Sequence, residues 1–161
     1  MNISRTSVKS LLGMAIKAEI EADKIYVRLA SRVKNPFLKE KFKTLAFEEK
    51  KHKKILENLF ASMFKGEKPS IPRSVDATLL PSVRMKPSSS LAEILYQAMA
   101  SEQAAQNFYA AIAGRLKSEK KRILEYLSKV EKSHYLMLRS EYILALEYED
   151  YAEKDIDKVI S

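Results

Sequence analysis

The chain has 161 residues, contains no cysteine, and carries 29 basic and 21 acidic side chains, for a formal charge of +8 at pH 7. The absence of cysteine excludes disulfide bonds, iron–sulfur clusters, thiolate zinc sites and a cysteine nucleophile. The length, with only 3 glycines and 5 prolines, favours a single all-α domain spanning residues 1–161.

The N-terminal segment, residues 1–7, lacks the apolar core of a signal peptide, and no stretch of the chain is apolar for long enough to span a bilayer. We therefore expect a cytoplasmic protein that makes no membrane contact. Apolar residues then recur at helical spacing and predict a first helix over residues 8–33. Its inward stripe of leucine, alanine and valine also includes Glu19 and Tyr26.

A second helix is predicted over residues 36–64. Asn35 is a favourable N-cap, and the proline that follows it occupies the first helical position, where its missing N–H costs nothing. The apolar stripe of this helix contains Glu49 and His52, and Gly66 follows as a stop signal.

The lysines concentrate around this second helix. Between residues 32 and 68, eleven basic side chains accompany five acidic ones. Lys51, Lys53 and Lys54 lie off the apolar stripe, so we interpret them as a solvated helix face. Because no nucleic-acid motif or interleaved aromatic residue accompanies the charge, nucleic-acid binding is not expected, whereas an acidic protein partner stays open.

The second half of the chain begins with a long connection. Residues 65–89 hold four of the five prolines and show no sustained periodicity. A serine–glutamate capping box then predicts a third helix over residues 91–113, and after a short link a fourth helix is predicted over residues 119–148. The polar tail, residues 149–161, is expected to form a short C-terminal helical extension.

The two halves of the chain repeat the same pattern of polar residues within apolar stripes. The repeated residues are Glu19 and Tyr26, which recur as Glu102 and Tyr109 at a shift of 83 residues, and Glu49 and His52, which recur as Glu131 and His134 at a shift of 82. Short links make each half an antiparallel hairpin. The connection of 25 residues can stretch to roughly 80 Å, enough to return along the whole bundle. This predicts a ferritin-like four-helix bundle with one long crossover.

Each of the two histidines follows a glutamate by three residues, which puts both side chains on one face of a helix. All four glutamates of the repeat lie in apolar stripes, and a buried carboxylate costs several kcal/mol unless it is paired or neutralised. No lysine or arginine lies on these stripes, whereas two divalent cations would balance four carboxylates. Oxygen-rich ligation with one nitrogen per metal fits two iron ions first, with manganese or zinc as alternatives. The predicted ligands are Glu19, Glu49, His52, Glu102, Glu131 and His134.

Two tyrosines lie two helical turns beyond the glutamates of the first and third helices. A buried tyrosine hydroxyl needs a hydrogen-bond partner, and a ligand carboxylate is a good acceptor. Tyr26 and Tyr109 are therefore candidates for orienting metal ligands beside the catalytic centre. The alternative, that they only fill core volume, stays open at this point.

The segments 15–26 and 98–109, together with 45–52, resemble the rubrerythrin branch of the ferritin-like superfamily, and the resemblance extends over roughly residues 11–142. It implies that Glu49 and Glu131 bridge two metals, while Glu19 and Glu102 each bind one metal alongside one histidine. It also implies a di-iron oxidoreductase that reduces hydrogen peroxide or dioxygen in oxidative-stress defence.

Two departures from rubrerythrins proper affect these expectations. The family carries a second glutamate three residues after the third-helix ligand, where this chain has Ala105. The family also appends a four-cysteine rubredoxin site, for which this chain has no cysteine. We therefore expect electrons from a separate, rubredoxin-like donor protein. A homodimer or higher homo-oligomer is also expected.

Two other functions stay open. The six-ligand set is similar to that of bacterioferritin, which keeps a ferroxidase or iron-storage protein as an alternative. A non-catalytic bundle that metal merely stabilises is the third possibility.

Overall fold

The computed structural model describes residues 3–86 and 88–147. The regular structure in these ranges is entirely helical, which confirms the predicted all-α class. Each predicted helix limit on the described residues lies within one residue of the observed one, while the predicted end of the fourth helix at residue 148 and the predicted C-terminal extension lie outside the described ranges. After a 3₁₀ turn at Ile3–Arg5, the helices are α1 (Val8–Arg32), α2 (Pro36–Met63), α3 (Leu91–Ala113) and α4 (Ser118–Glu147).

The first three helices begin where their side chains can satisfy free backbone amides. Ser7 caps α1 through its hydroxyl oxygen, which accepts a hydrogen bond from an amide of the first turn. Asn35 does the same for α2, with Pro36 at the first helical position. Ser90 and Glu93 form a reciprocal capping box at the start of α3.

The helices form two hairpins, in which α1 packs along α2 and α3 packs along α4. The hairpins meet through contacts of α1 with α3 and of α2 with α4. An ion pair between Lys41 and Glu141 joins the start of α2 to the end of α4, so these two helices run antiparallel. It follows that α2 and α3 are parallel and that the crossover returns along the bundle, which confirms the predicted ferritin-like arrangement.

The apolar core consists of two clusters, one towards each end of the bundle. One includes Phe42 and Leu95, and the other includes Leu12 and Phe60. Full burial of each such side chain contributes about 1.5–3 kcal/mol, so these clusters stabilise the bundle on both sides of a polar middle layer. No helix within the described ranges is long and apolar enough to cross a membrane.

The crossover is packed onto the bundle. Gly66, with φ 78°, turns the chain just after α2. The carbonyl oxygen of Ser70 then occupies the space that a side chain at Gly13 would need, so only glycine permits this close approach to α1. Leu80 contributes to one core cluster and Val83 to the other, which fastens the crossover to both ends of the bundle.

Candidate metal centre

A layer of carboxylates and imidazoles lies between the two apolar clusters. Helices α1 and α3 each contribute one glutamate, and α2 and α4 each contribute a glutamate and a histidine three residues apart. These are the six residues predicted as ligands, and all of them are almost completely buried. Their exposed fractions are 4% for Glu19, 1% for Glu49, 3% for His52, 3% for Glu102, 1% for Glu131 and 4% for His134.

The six side chains form two overlapping groups, and in each group the ligand atoms lie within 4.8 Å of one another. Glu49 and Glu131 belong to both groups, so each group has two shared carboxylates, one carboxylate of its own and one imidazole. This is the form of a dinuclear site in a four-helix bundle. The groups are Glu19, Glu49, His52 and Glu131, and Glu49, Glu102, Glu131 and His134.

The two imidazoles stack beside each other, with ring centroids 5.5 Å apart and planes 18° from parallel. His52 Nδ1 lies 3.1 Å from Glu49 Oε2 and 2.9 Å from Glu131 Oε1. His134 Nδ1 lies 3.1 Å from Glu131 Oε2 and 3.2 Å from Glu49 Oε1. Both Nδ1 atoms therefore face the two shared carboxylates.

The donor set fits two metal ions better than it fits protons. One Nδ1 hydrogen serves only one of the two carboxylate oxygens that converge on it. Glu49 Oε1 and Glu131 Oε1 are accordingly buried without a hydrogen bond among the described residues. No lysine or arginine is buried in those ranges to neutralise them. A cation in each group would meet one of these orphaned oxygens, and two divalent cations would balance the four carboxylates.

The pKa values of the cluster show how a metal-free interior distributes this charge. Burial, together with the neighbouring carboxylates, raises the pKa of Glu19 and of Glu102 well above the usual range. Burial acts in the same direction on Glu49 and Glu131, but the two imidazoles outweigh it and lower their pKa values. The pKa of His52 is shifted upwards. Burial alone would lower this pKa, but Glu131 and Glu49 raise it to about 9. These directions are the ones expected when protons, in place of cations, compensate the buried carboxylates.

Both predicted tyrosines are buried and donate hydrogen bonds to carboxylates of the cluster. Tyr26 donates to Glu102, and Tyr109 donates to Glu19. Each bond therefore crosses from one hairpin to the other, whereas the sequence had related each tyrosine only to the glutamate of its own helix. Of the two interpretations left open above, the one in which the hydroxyl meets a ligand carboxylate agrees with these contacts.

A family model described as Rubrerythrin matches residues 10–142, a range that includes all six residues of the cluster. The chain belongs to the rubrerythrin family. Among solved structures, the hypothetical protein Pfu-1136390-001 from Pyrococcus furiosus shares 38% identity with this rubrerythrin-family chain and superposes with a TM-score of 0.79. That similarity covers 92% of this chain and 98% of the other.

A second solved structure, of CopM in an Ag-bound form, superposes with a TM-score of 0.66 over 86% of this chain and 96% of that one. Its 11% identity makes this a similarity of fold alone. No curated protein sequence matches this member of the rubrerythrin family.

One residue beside the centre was missed by the sequence analysis. Glu48, whose side chain is 37% exposed, lies with its Oε2 atom 2.6 Å from His134 Nε2, the ring nitrogen that faces away from the shared carboxylates. Glu48 precedes Glu49 and so lies off the inward stripe that the periodicity picks out. The repeat gave no signal either, because the equivalent position 82 residues later is Val130.

A narrow cavity of about 30 Å³ reaches the carboxylates from the α1–α3 side. Its floor includes Glu19 and Glu102, and the crossover covers it with Leu80 and Pro81. Ala105, at the position where rubrerythrins proper carry an additional glutamate, lines the wall. The small side chain at that position therefore leaves space beside the site where the additional carboxylate would lie.

Proposed function

We propose that this rubrerythrin-family protein is a di-iron oxidoreductase that reduces hydrogen peroxide, or dioxygen, in oxidative-stress defence. The observation that carries the proposal is the pair of four-residue groups that share Glu49 and Glu131 in a dry layer of the bundle. A single metal ion would need only one of these groups. The presence of a second imidazole on another helix, together with two carboxylates common to both groups, therefore favours two ions.

The six predicted ligands would be distributed between two iron ions. Glu49 and Glu131 would hold both irons, while each iron would have its own pair of ligands, Glu19 with His52 and Glu102 with His134. Six protein ligands leave coordination positions free on two metals, which suits a reactive site better than a closed structural one. Iron is the first choice because carboxylates stabilise its ferric state, although manganese or zinc would fit the same donors.

When bound, two ferrous ions supply the electrons, one each, so that hydrogen peroxide, two electrons and two protons yield two water molecules. The protein's own contribution is to fix the ligands and to exclude bulk water. Tyr26 and Tyr109 hold Glu102 and Glu19 in orientation from the opposite hairpin. The two apolar clusters on either side of the layer limit its contact with bulk water, which strengthens every charge interaction in it.

The cavity supports a small oxidant as the substrate. A volume of about 30 Å³ accommodates roughly two water-sized groups. Hydrogen peroxide and dioxygen each have two heavy atoms and match this volume, whereas an organic hydroperoxide is larger. We propose that Leu80 and Pro81, which line the cavity, favour the entry of molecules of the smaller size.

Completion of a catalytic cycle requires reducing equivalents from outside, and the chain has no cysteine with which to hold an iron–sulfur relay of its own. We propose a separate rubredoxin-like donor protein that docks on the basic surface of α2. A cytoplasmic homodimer or higher homo-oligomer is the form in which we expect the protein to act.

The proposal is tested by stopped-flow oxidation of the anaerobically prepared di-ferrous protein. We expect oxidation by hydrogen peroxide to be at least as fast as oxidation by dioxygen, with two irons oxidised per peroxide consumed. Protein loaded with redox-inert Zn(II) is the matched control and should consume none. Oxidation by dioxygen that is far faster than by peroxide would contradict a peroxidase role.

A ferroxidase is the second candidate, and Ala105 is the observation that favours it. Without the additional glutamate, the ligand set has six members, as the resemblance to bacterioferritin implies. Solution sizing distinguishes the two functions, because iron storage needs a hollow shell of many subunits. A shell that accumulates many irons per chain would favour storage, whereas a small oligomer limited to two irons per chain would exclude it.

A further inference from the structure

The two halves of the proposed metal centre have closely similar contacts, although His52 Nδ1 lies 3.9 Å from Glu19 and His134 Nδ1 lies 3.5 Å from Glu102, and they differ most clearly at one residue. The tyrosine–carboxylate bonds are reciprocal, since Tyr26 meets Glu102 and Tyr109 meets Glu19. Each Nδ1 atom faces the same two shared carboxylates at nearly equal distances, between 2.9 and 3.2 Å. Because the two halves are otherwise similar, a contact that is present in only one of them is enough to make the two metal positions differ.

That contact is the hydrogen bond between Glu48 and His134. Glu48 Oε2 lies 2.6 Å from His134 Nε2, which is a short contact between a carboxylate and an imidazole nitrogen; bonds that involve an ionised partner are shorter and stronger than neutral ones. His52 has no such partner, because its Nε2 atom makes no hydrogen bond within the part of the chain that the structure describes. The repeat explains this difference, since the position equivalent to Glu48 is Val130, which has no acceptor in its side chain.

A carboxylate on the outer nitrogen changes how an imidazole binds metal. It fixes the tautomer that carries the hydrogen on Nε2 and leaves the Nδ1 lone pair free for the cation. It also orients the ring and makes Nδ1 a better electron donor, and removing such a partner typically costs about 10–100-fold in metal affinity. His134 has this support and His52 does not.

We propose that Glu48 is a positioning residue that makes the centre load in a fixed order, with the first divalent cation bound at the Glu102–His134 position and the second at the Glu19–His52 position. The inference rests on the metal centre proposed above. The second position is consequently the weaker and more exchangeable one, so a metal-poor protein holds its cation beside His134.

The test is a crystal of the metal-free protein grown with one equivalent of Co(II), in which anomalous scattering measures the occupancy of each position. Repulsion between two neighbouring cations is sufficient to produce stepwise binding, so stepwise binding alone does not test the inference, whereas the choice of position reports the asymmetry. In the wild-type protein we expect the His134 position to be favoured by about 10-fold or more. Equal occupancy would overturn the inference.

Two variants change the residues that distinguish the halves. Glu48→Val makes the two halves alike, so we expect the occupancy ratio to fall towards one. Glu48→Val combined with Val130→Glu transfers the support to His52, so we expect the order to invert. Glu57→Val is the matched control, because it removes a carboxylate of α2 that is 32% exposed, close to the 37% of Glu48, and that pairs with Lys53; it should leave the ratio unchanged.

A second measurement does not depend on crystals. The chain contains only two histidines, so protein labelled with ¹⁵N in histidine gives one set of ring signals for each. One equivalent of Zn(II), which is diamagnetic and perturbs mainly the ring that it binds, should shift one set selectively in the wild-type protein and both sets in Glu48→Val. Selective loading that persists in Glu48→Val would overturn the role of Glu48 while leaving the metal centre intact. Absence of Zn(II) binding altogether would overturn the metal centre itself.

Discussion

Removal of metal should make the stability of this protein fall as the pH rises. In the folded, metal-free protein the pKa of His52 is raised from 6.5 to about 9 by Glu131 and Glu49, against the opposing effect of burial. The folded state therefore holds a proton that the unfolded chain releases between these values. This stabilisation is complete below pH 6.5 and is lost as the pH rises through about 9.

The expected loss of stability follows from the size of the pKa shift of His52. The difference between the unfolded and folded pKa values of His52, which is only 3% exposed, corresponds to about 3 kcal/mol of folding free energy. For a chain of this length, each kcal/mol changes the melting temperature by about 2–4 °C, so a fall of about 6–12 °C is expected. The raised pKa values of Glu19 and Glu102 act in the same direction, because the folded state also binds their protons more tightly.

The assay is thermal unfolding of the chelated protein between pH 6 and pH 9.5, followed by circular dichroism in 0.3 M salt to screen the general charge. Metal-loaded protein is the control. Because a metal competes with these protons, its stabilisation should increase over the same range. A melting temperature of the metal-free protein that stays constant or rises with pH would refute the reasoning about the buried cluster.

Three further predictions concern single side chains. Tyr26→Phe removes the hydroxyl that holds Glu102, so Co(II) affinity in a competition titration should fall by about tenfold while the fold is retained; unchanged affinity would leave the tyrosine only a packing role. Gly13→Ala forces the crossover carbonyl away from α1 and should lower the free energy of unfolding by about 1–3 kcal/mol in urea. Gly114→Ala, which meets only ordinary contacts, should change it by less than about 1 kcal/mol, and similar values for both would show that the close approach is unimportant. Leu80→Ala should lower stability by about 2–4 kcal/mol and enlarge the cavity; the oxidation rate with tert-butyl hydroperoxide should then rise relative to that with hydrogen peroxide, and an unchanged ratio would argue against the crossover as a size filter.

The fold was predictable from the sequence because the helix signals along the chain and the internal repeat both indicate two helical hairpins. The apolar periodicity and the caps at Asn35 and Ser90 placed the helix limits within about one residue, since each depends on neighbours in the chain. The long connection between the second and third helices then restricted the possible topologies, because it can return along the whole bundle. The burial of Glu19 and Glu49 followed in the same way, because each carboxylate lies in a stripe that must face the core.

The remaining features depend on which helices meet, and the sequence does not encode that locally. Tyr26 shares a helix face with Glu19, yet its hydroxyl reaches Glu102, because helix packing brings α3 to that point. Glu48 lies beside the inward stripe and gains its role only from the approach of α4. The need for glycine at position 13 similarly arises from a crossover segment that carries no periodic signal.

The most direct test of the account is the iron content per chain after anaerobic reconstitution and desalting, measured on the wild-type protein and two variants. The account predicts two irons for the wild type. Glu49→Ala, which removes a residue common to both groups, should retain fewer than one, whereas Glu57→Ala, on the exposed side of the same helix, should retain two. A wild-type protein that holds no iron, or a Glu49→Ala variant that still holds two, would contradict a dinuclear centre built on the shared carboxylates.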